Sequence, residues 1–419
     1  MQDQTLGMRI YHSSSVREGG PAILFVSSPS ALVAPSTGGS GMIALSLMKS
    51  FHRMGWRAGF LGFVKPERWP GDKEVVDRLE ANGVAEEGTY WFGFRKDVPT
   101  NAAELERIVN FFEPKVIYCY GHEAAAMVNR LNGSFVTIVT LYDPLHFGSF
   151  YKLLNNLRSP SPRVLYRAAR KLPAIYRSWK RHRLEELPAL SKIDVVIVHS
   201  FNHSVFYQRQ LHRSVSYFPN PLEPTQPLER GNWHIPPAFI MAGALHSSVS
   251  MTGLEFFLHK VLPHLRRDLE SDKFQIRIMG GGHLRPDLEA LKDIRNIKFL
   301  GHVTHEMLME EYRGAVALLV PTPIRLGFRT RIMDAFRFRV PVIAHSANQA
   351  GFRELIHGQN CLMTSDGHAF AELMRKTITE QGLCARIAAR AYEEFLGSYS
   401  SDVFAEFVIH KSEEIACKQ

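Results

Sequence analysis

The segment Pro321-Thr-Pro-Ile-Arg-Leu-Gly-Phe-Arg-Thr-Arg-Ile-Met-Asp-Ala-Phe-Arg-Phe-Arg-Val-Pro-Val-Ile-Ala-His345 contains, in order, a polar loop, a helix and a short apolar strand. The apolar run at residues 317–320 lies directly before it and has the length and composition of a buried strand. Strand, loop, helix and strand in succession form a βαβ unit, in which the two strands run parallel. The segment therefore predicts an α/β fold.

The same alternation extends along both sides of this segment. We predict a first set of strands at residues 23–26, 58–64, 116–119, 136–141 and 195–198, and a second set at residues 238–242, 275–279, 297–300, 317–320 and 340–344. A stretch with proline and glycine separates the sets. The sequence thus predicts two Rossmann-like doubly wound domains, residues 1–222 and 223–395, with a helix in 396–419 packing back on the first. Ligands of such sheets bind at the carboxyl ends of the strands, so we expect a site in a cleft between the domains.

Composition limits the class of protein. The chain has 419 residues, of which 45% are hydrophobic and 22% charged, as in folded globular proteins of two domains. It has no apolar run of the ~20 residues that cross a bilayer, and its start does not resemble a signal peptide. Its four scattered cysteines have no metal or redox spacing, so we expect a cytoplasmic protein. The net charge of +9 predicts an acidic partner. Because the chain carries no nucleic-acid module, we do not expect a nucleic acid.

The loop and helix of the opening segment concentrate charge. Arg325, Arg329 and Arg331 lie near the predicted helix start, and Asp334 follows one turn later. Cations neutralise a diphosphate, and a carboxylate holds ribose hydroxyls. The alternative is that these residues form surface ion pairs.

A second glycine-containing segment precedes a predicted helix at residues 42–53. Gly39, Ser40 and Gly41 bring backbone amides to the helix start, where a phosphate or a carboxylate is stabilised. Gly39-x-Gly41-x-x-Ala44 also fits the dinucleotide fingerprint, so an NAD(P)-dependent oxidoreductase is an alternative. Against it, the first strand ends about ten residues before the glycines, whereas a dinucleotide turn follows its strand directly. A simple turn is a further alternative.

Two strand-end loops in the second half are candidate contacts for a base and a ribose. Gly281 and Gly282 follow one predicted strand, and Val303 follows the next. A triple glycine is also an ordinary loop.

Residues 151–187 interrupt the alternation with a helical stretch that is rich in lysine, arginine and aromatic residues. Such a stretch suits an anionic membrane surface. The alternative is a solvated face over an ordinary core stripe.

Taken in order, these motifs resemble the retaining glycosyltransferase family 4, the glycosyl transferases group 1. The matching positions are Gly39–Gly41, Asp143, 194–200, 218–220, 261–263, 280–282, 301–303, Gly327-Phe328, Asp334-Ala335, 341–344, 351–354 and 357–360.

The resemblance implies a GT-B fold and transfer of a sugar from a UDP- or GDP-sugar to a glycan or lipid-linked acceptor, with retention at the anomeric carbon. It implies no cofactor and no metal, the nucleotide sugar being a co-substrate. The contacting loop would be Arg325, Gly327 and Phe328, and the ribose acid Asp334. The first acid of the family pattern falls on Leu326.

The family's usual cations near Ala244 and Met251 are absent too. Gly327-Phe-Arg-Thr-Arg331 is similar to a GxRxK pattern of a related branch, so Arg329 and Arg331 are candidates to replace them. For the acceptor side, the resemblance implies strand-end residues, here Asp143, His122 and His146. The basic stretch would rest on the inner face of the membrane that presents the acceptor. The missing acid and cations also leave open a non-catalytic scaffold that binds sugar nucleotides.

Overall fold

The protein is known from a computed structural model, which describes residues 9–12, 19–27, 39–81, 88–94, 96–141, 143–144, 170, 172–226, 228, 234–245, 247–270 and 272–418. The chain divides into two compact units. The first comprises Met1–Glu223 and Ser401–Gln419, and the second comprises Pro224–Ser400. The chain therefore returns to the first unit after completing the second.

The first unit alternates strands and helices. Its strands are β1 (Arg9–His12), β2 (Ala22–Ser27), β3 (Arg57–Val64), β4 (Gly88–Phe94), β5 (Val116–Tyr120), β6 (Val136–Leu141), β7 (Val195–Val198) and β8 (Ser216–Tyr217). Among the described residues before 224, the helices are α1 (Gly39–Arg53), α2 (Asp72–Ala81), α3 (Val98–Phe112), α4 (His122–Val128), α5 (Leu172–Arg181), α6 (Leu187–Ser191) and α7 (Phe201–Leu211). A π-helical turn, His182–Glu186, joins α5 to α6.

These strands form one sheet in the order β1-β4-β3-β2-β5-β6-β7-β8. Strand β1 pairs antiparallel with β4, and the other pairs are parallel. From β2 the chain builds β3 and β4 on one side and then β5 to β8 on the other. The point where the direction reverses, between β2 and β5, is the place where ligands of doubly wound sheets bind.

The second unit has six strands and helices between them. The strands are β9 (Ala238–Ala242), β10 (Gln275–Met279), β11 (Ile297–Gly301), β12 (Ala315–Val320), β13 (Val342–His345) and β14 (Leu362–Thr364). The helices are α8 (Ser248–Phe256), α9 (Arg266–Glu270), α10 (His305–Gly314), α11 (Thr330–Arg337), α12 (Gly367–Thr379) and α13 (Gln381–Glu394). Helices α8, α10 and α12 begin after capping side chains, because Ser247, Thr304 and Asp366 each accept a hydrogen bond from an amide of the first turn.

All strand pairs of this second sheet are parallel, in the order β11-β10-β9-β12-β13-β14. Strand β9 is the first strand of this sheet in the sequence, and it lies inside the sheet. The direction in which strands are added therefore reverses between β9 and β12. Strand β12 is buried along its whole length. Apolar side chains from α8 and α12 cover the sheet, among them Leu254, Phe370 and Met374.

The last helix, α14 (Ser401–Ala416), belongs to the first unit. The hydroxyl of Ser50 in α1 donates to that of Ser401 (2.8 Å), and the Arg53 guanidinium pairs with Asp402 (2.6 Å). Phe404 is fully buried on the same helix. The C-terminal segment therefore completes the core of the first unit.

The predicted α/β fold is confirmed, and each strand expected from the sequence exists within about two residues at its ends. Strands β1, β4, β8 and β14 were not predicted. Of these, β8 has two residues and β14 three, which is too short for a periodic signal. Among the helices that the structure describes, none has both the length and the apolar character required to span a bilayer.

Candidate functional site

A pocket opens at the reversal point of the second sheet. We call it the switch-point pocket. It is lined by the ends of β9, β10 and β12, by one side of α8 and by one residue of α11. The lining residues are Met241, Ala242, Gly243, Leu245, Ser250, Gly253, Leu254, Ile278, Met279, Leu319, Pro321, Thr322 and Arg331.

Two glycines allow the strand ends beside the pocket to approach closely. Gly243 follows β9 with φ 148°, and Gly280 follows β10 with φ 149°, values that L side chains rarely adopt. A Cβ on Gly280 would collide with the carbonyl oxygen of Gly243. The Gly243 amide donates to Met279 O (2.9 Å), and the Leu245 amide donates to Gly281 O (2.8 Å). Backbone contact thus shapes this wall of the pocket.

Arg331 brings a cation to this wall. Its guanidinium donates to the carbonyl oxygen of Ala242 and lies beside Gly243. In the part of the chain that the structure describes, no carboxylate pairs with it. Burial lowers the pKa of Arg331, but a guanidinium keeps its proton in proteins. A half-buried cation with no carboxylate partner is favoured when an anion binds beside it, so this geometry suits an anionic ligand.

Arg331 is the only one of the four predicted charged residues that lines this pocket. Asp334 pairs instead with Arg337, at 3.0 Å from Oδ1. Burial raises the pKa of Asp334, and the Arg337 charge opposes that rise. Arg329 is buried at the start of α11. Arg325 is exposed, and the pKa of His345 is lowered first by burial and then by the Arg325 charge.

The other predicted donor contacts are not among the residues that line the pocket. Gly327 has a positive φ of 68°, and the Phe328 ring packs against Phe352 with centroids 5.1 Å apart. Gly281 and Gly282 follow β10, and Val303 follows β11. The carboxyl ends of β10 and β11 are joined, because the Gly280 amide donates to Gly301 O (2.8 Å).

The glycine segment of the first unit lies within a helix. Helix α1 begins at Gly39, so Gly39, Ser40 and Gly41 form its first turn. Strand β2 ends at Ser27, and residues 28–38 between them lie outside the described residues, as does the side chain of Ser40. The connection is longer than the turn that directly follows the strand in a dinucleotide site.

Two of the predicted acceptor residues follow the strands beside the reversal point of the first sheet. His122 follows β5 and Gly121, whose φ is 84°. Burial lowers the pKa of His122, which favours a neutral imidazole. Asp143 follows β6 and is exposed, with Oδ1 3.7 Å from Nδ1 of the buried His203. His146 lies outside the described residues.

A buried polar network next to His122 was not predicted. Nδ1–H of His182 donates to Glu186 Oε2 (2.7 Å), and the Tyr207 hydroxyl donates to Oε1. Burial favours the neutral carboxyl, but these two hydrogen bonds outweigh it and lower the pKa of Glu186. The sequence signal was a histidine and a glutamate at i and i+4, hidden in a stretch dominated by basic residues. In the described residues, no three His, Cys, Asp or Glu side chains form a metal site.

Comparisons with known proteins connect this geometry to an enzyme class. Residues 236–380 match the family model described as "Glycosyl transferases group 1". This matched range is less than half of the chain, and it contains the residues that line the switch-point pocket. No curated protein matches the sequence.

Solved structures share the fold over nearly the whole chain. A glycosyltransferase from Rickettsia africae ESF-5 has a TM-score of 0.63 and 11% identity, covering 95% of this chain and 99% of that one. A sucrose-phosphate synthase from Thermosynechococcus elongatus has a TM-score of 0.61 and 14% identity, covering 96% and 100%. HepE from Anabaena in complex with UDP has a TM-score of 0.58 and 14% identity, covering 94% and 100%. The predicted GT-B fold is therefore confirmed, and these low identities establish the fold alone.

Proposed function

We propose that the protein is a glycosyltransferase that binds a nucleotide-diphosphate sugar in its second unit and transfers the sugar to an acceptor. The observation that carries this proposal is the guanidinium of Arg331, which lines the switch-point pocket and pairs with no carboxylate of the described residues. A diphosphate is the anion that such a donor would bring to it. The match of residues 236–380 to the group 1 glycosyl transferases supports the class.

Arg331 supplies this cation from an unusual element. The resembling family carries its cations near the positions of Ala244 and Met251, and neither residue is basic here. Arg331 reaches from α11 to the end of β9, next to the residue that precedes Ala244. The guanidinium of Arg331, from helix α11, is therefore close to the position near Ala244 where the family pattern has a cation and this chain has none. We assign the diphosphate to Arg331, with Arg329 at the start of the same helix as its companion.

The remaining donor contacts follow from the strand-end loops. The ion pair with Arg337 uses Oδ1 of Asp334, and we assign Oδ2 to the ribose hydroxyls. We assign the base to the loops of Gly281, Gly282 and Val303, at the same edge of the sheet. Leu326 cannot make the hydrogen bond of the missing acid, a loss on the order of 1 kcal/mol of donor binding. HepE has been crystallised with UDP and with UDP-glucose, which supports a UDP-sugar as the first donor to test.

For the acceptor, we assign His122 and Asp143 to orienting the attacking hydroxyl, with His146 as a further candidate. Both described residues follow strands next to the reversal point of the first sheet. A neutral His122 can accept a hydrogen bond from a hydroxyl. By resemblance to the family, we propose that transfer retains the anomeric configuration without a metal, and that the acceptor is a glycan or a lipid-linked glycan in the cytoplasm.

A thermal-shift panel tests the donor class. UDP, GDP, their sugar derivatives, NAD and NADP are each added to the purified protein. Since a ligand stabilises the folded state by mass action, a nucleotide diphosphate at a hundred times its Kd adds about 2.7 kcal/mol of stability. We expect a shift with a nucleotide diphosphate and none with the dinucleotides. A shift with NAD or NADP alone would favour the oxidoreductase instead.

Release of free nucleotide separates an enzyme from a scaffold. Incubation of the donor found by that panel with the protein is followed by quantifying UDP or GDP. A transferase slowly passes the sugar to water when no acceptor is present, so we expect release above the rate without protein. Binding of the donor with no release, even when candidate acceptors are added, would favour the non-catalytic scaffold.

A further inference from the structure

Helix α5 (Leu172–Arg181) presents an apolar stripe to solvent. Leu172, Tyr176 and Trp179 are spaced by four and three residues, which places them on one face of the helix. They are 53%, 62% and 42% exposed, and no residue of this helix is buried. The rings of Tyr176 and Trp179 stack with centroids 6.0 Å apart. The stripe is therefore a continuous aromatic and aliphatic surface, unlike a scatter of single exposed residues.

Basic side chains border this stripe. From residue 172 to residue 184 the sequence has arginine and lysine but no aspartate or glutamate. Arg177 and Lys180 are exposed on the same helix, and the Arg183 guanidinium lies 5.4 Å from the centroid of the Trp179 ring. Arginine and lysine carry apolar stems that lie along a hydrophobic surface while their charges reach outward. The surface thus combines an apolar centre with a positive rim.

The helix is held firmly on the first unit. Arg181 pairs with Glu123 of α4 (3.7 Å) and with Glu185 (2.9 Å). In the π-helical turn that follows, His182 and Glu186 are each 2% exposed. Their hydrogen bonds anchor the inner side of this segment, so the apolar stripe is fixed outward.

We propose that α5 is an interfacial helix, which lays Leu172, Tyr176 and Trp179 into the surface of an anionic bilayer. Amphipathic helices with aromatic residues on one side and basic residues beside them bind in this way. Each Lys or Arg near an anionic leaflet adds electrostatic attraction to the headgroups. The net charge of +9 adds a long-range attraction of the same sign. Only the role of this membrane contact rests on the proposed function, because the contact would bring the enzyme to a lipid-linked acceptor.

A bilayer fits this surface better than a folded protein partner does. The three side chains of the stripe lie on one face of a single helix. Its charges all have one sign, which matches a leaflet of anionic headgroups. A partner protein, or a second copy of this chain, is the competing outcome of the test.

Flotation of the full chain with vesicles tests the proposal. Vesicles of phosphatidylcholine alone are compared with vesicles of phosphatidylcholine and phosphatidylglycerol, at low and high salt. We expect binding to the anionic vesicles, weakened by salt. The double variant Tyr176→Ala/Trp179→Ala removes the rings, and Arg177→Glu/Lys180→Glu reverses the rim. Each is expected to lower the partition coefficient by roughly tenfold or more.

Matched controls come from α3 of the same unit. Phe111 is 62% exposed, the same fraction as Tyr176. Phe111→Ala removes an exposed ring away from α5, as a control for the ring variant. Arg107→Glu reverses an exposed charge away from α5, as a control for the charge variant. Neither should change the partition coefficient by more than about twofold.

The readouts also separate this inference from the proposed function. Nucleotide binding and release are measured on the α5 variants without lipid, and both should equal wild type, which shows that the variants are folded. No flotation of wild type with anionic vesicles would overturn the inference, as would flotation that is insensitive to both α5 variants. Light scattering that shows wild-type dimers and monomeric α5 variants, with flotation unchanged, would overturn it in favour of a self-contact. Flotation without any nucleotide binding would leave the inference standing and reject the transferase.

Discussion

At the scale of single residues, the position of Arg331 in the structure distinguishes it from the other arginines of the same segment. From the sequence, Arg329 and Arg331 are equal candidates for the diphosphate, and Arg325 lies in the same loop. In the structure, Arg331 reaches the end of β9 and Arg325 is exposed. Asp334 pairs with Arg337 outside the lining of the switch-point pocket. Spacing identified the segment, but only the rotation of α11 determines which side chain lies at the strand ends.

His199, at the end of β7, predicts acid sensitivity. Its Nδ1–H donates to Phe218 O (2.9 Å), and its Nε2 accepts from the Thr140 hydroxyl (2.7 Å), so the neutral ring is satisfied. Burial lowers the pKa of His199 to about 4 from 6.5. Between these values the unfolded chain binds a proton that the folded chain does not. Stability therefore falls as pH drops from 6.5 to 4, by about 3 kcal/mol from this group.

Urea unfolding at a series of pH values, followed by tryptophan fluorescence, measures this contribution. His199→Asn should be less stable at neutral pH and should show a pH slope shallower by about one proton between pH 6.5 and 4. His410→Asn, on the exposed side of α14, should leave the slope unchanged. A slope for His199→Asn equal to that of wild type would contradict the assignment.

At the scale of elements, apolar runs bounded by turns predicted most of the buried strands, for example β2 and β12, in which every residue is buried. Strand β4 was missed, although five of its seven residues are buried. Short edge strands such as β8 and β14 were not predicted, since two or three residues are too few to show a period. The network of His182, Glu186 and Tyr207 was not predicted for another reason. Glu186 and Tyr207 are 21 residues apart in the sequence, and a π-helical turn and the packing of α7 bring them together.

The strand ends of the second sheet predict a contrast between adjacent glycines. Gly280→Ala would place a Cβ against the Gly243 carbonyl and force a backbone conformation that alanine rarely adopts. We expect it to lower the unfolding free energy by about 2 kcal/mol or more. Gly281→Ala adds a Cβ 3.7 Å from that of His302, an ordinary contact, and should cost less than about 0.5 kcal/mol. Calorimetric unfolding compares the two, and equal losses would contradict the close approach of the strand ends.

At the scale of the whole molecule, the chain returns at Ser401 to complete the first unit. The Phe404 ring lies 4.7 Å from that of Phe218 and 6.3 Å from that of Tyr118, centroid to centroid. Phe404→Ala should destabilise the first unit by about 3 kcal/mol or more, because a fully buried aromatic side chain leaves a cavity. The neighbouring Phe407 is only half-buried, so Phe407→Ala should cost clearly less.

Near-ultraviolet circular dichroism during thermal unfolding records this loss for each variant. If the two variants unfold at the same temperature, α14 does not complete the core of the first unit in the way described here.

The order of the motifs along the chain was sufficient to predict the GT-B fold, but the site was predicted only in part. The sequence located the segment that contains Arg331. It did not single out Gly243, Ser250 or Thr322, which line the switch-point pocket. These residues come from three separate elements and become neighbours only when β9 and β12 pair. Their individual residue types are too common in loops to signal a site.

The central claim is that the switch-point pocket binds the diphosphate of a nucleotide donor through Arg331. Calorimetric titration of UDP and of GDP into wild type, Arg331→Ala and Arg313→Ala tests it most directly. Arg313 pairs with Glu310 on α10 and serves as a matched loss of a guanidinium outside the pocket. We predict that Arg331→Ala raises the Kd of the preferred nucleotide about tenfold to a hundredfold and that Arg313→Ala leaves it unchanged. Binding of that nucleotide to Arg331→Ala with the wild-type Kd, or binding of neither nucleotide to wild type, would contradict the claim.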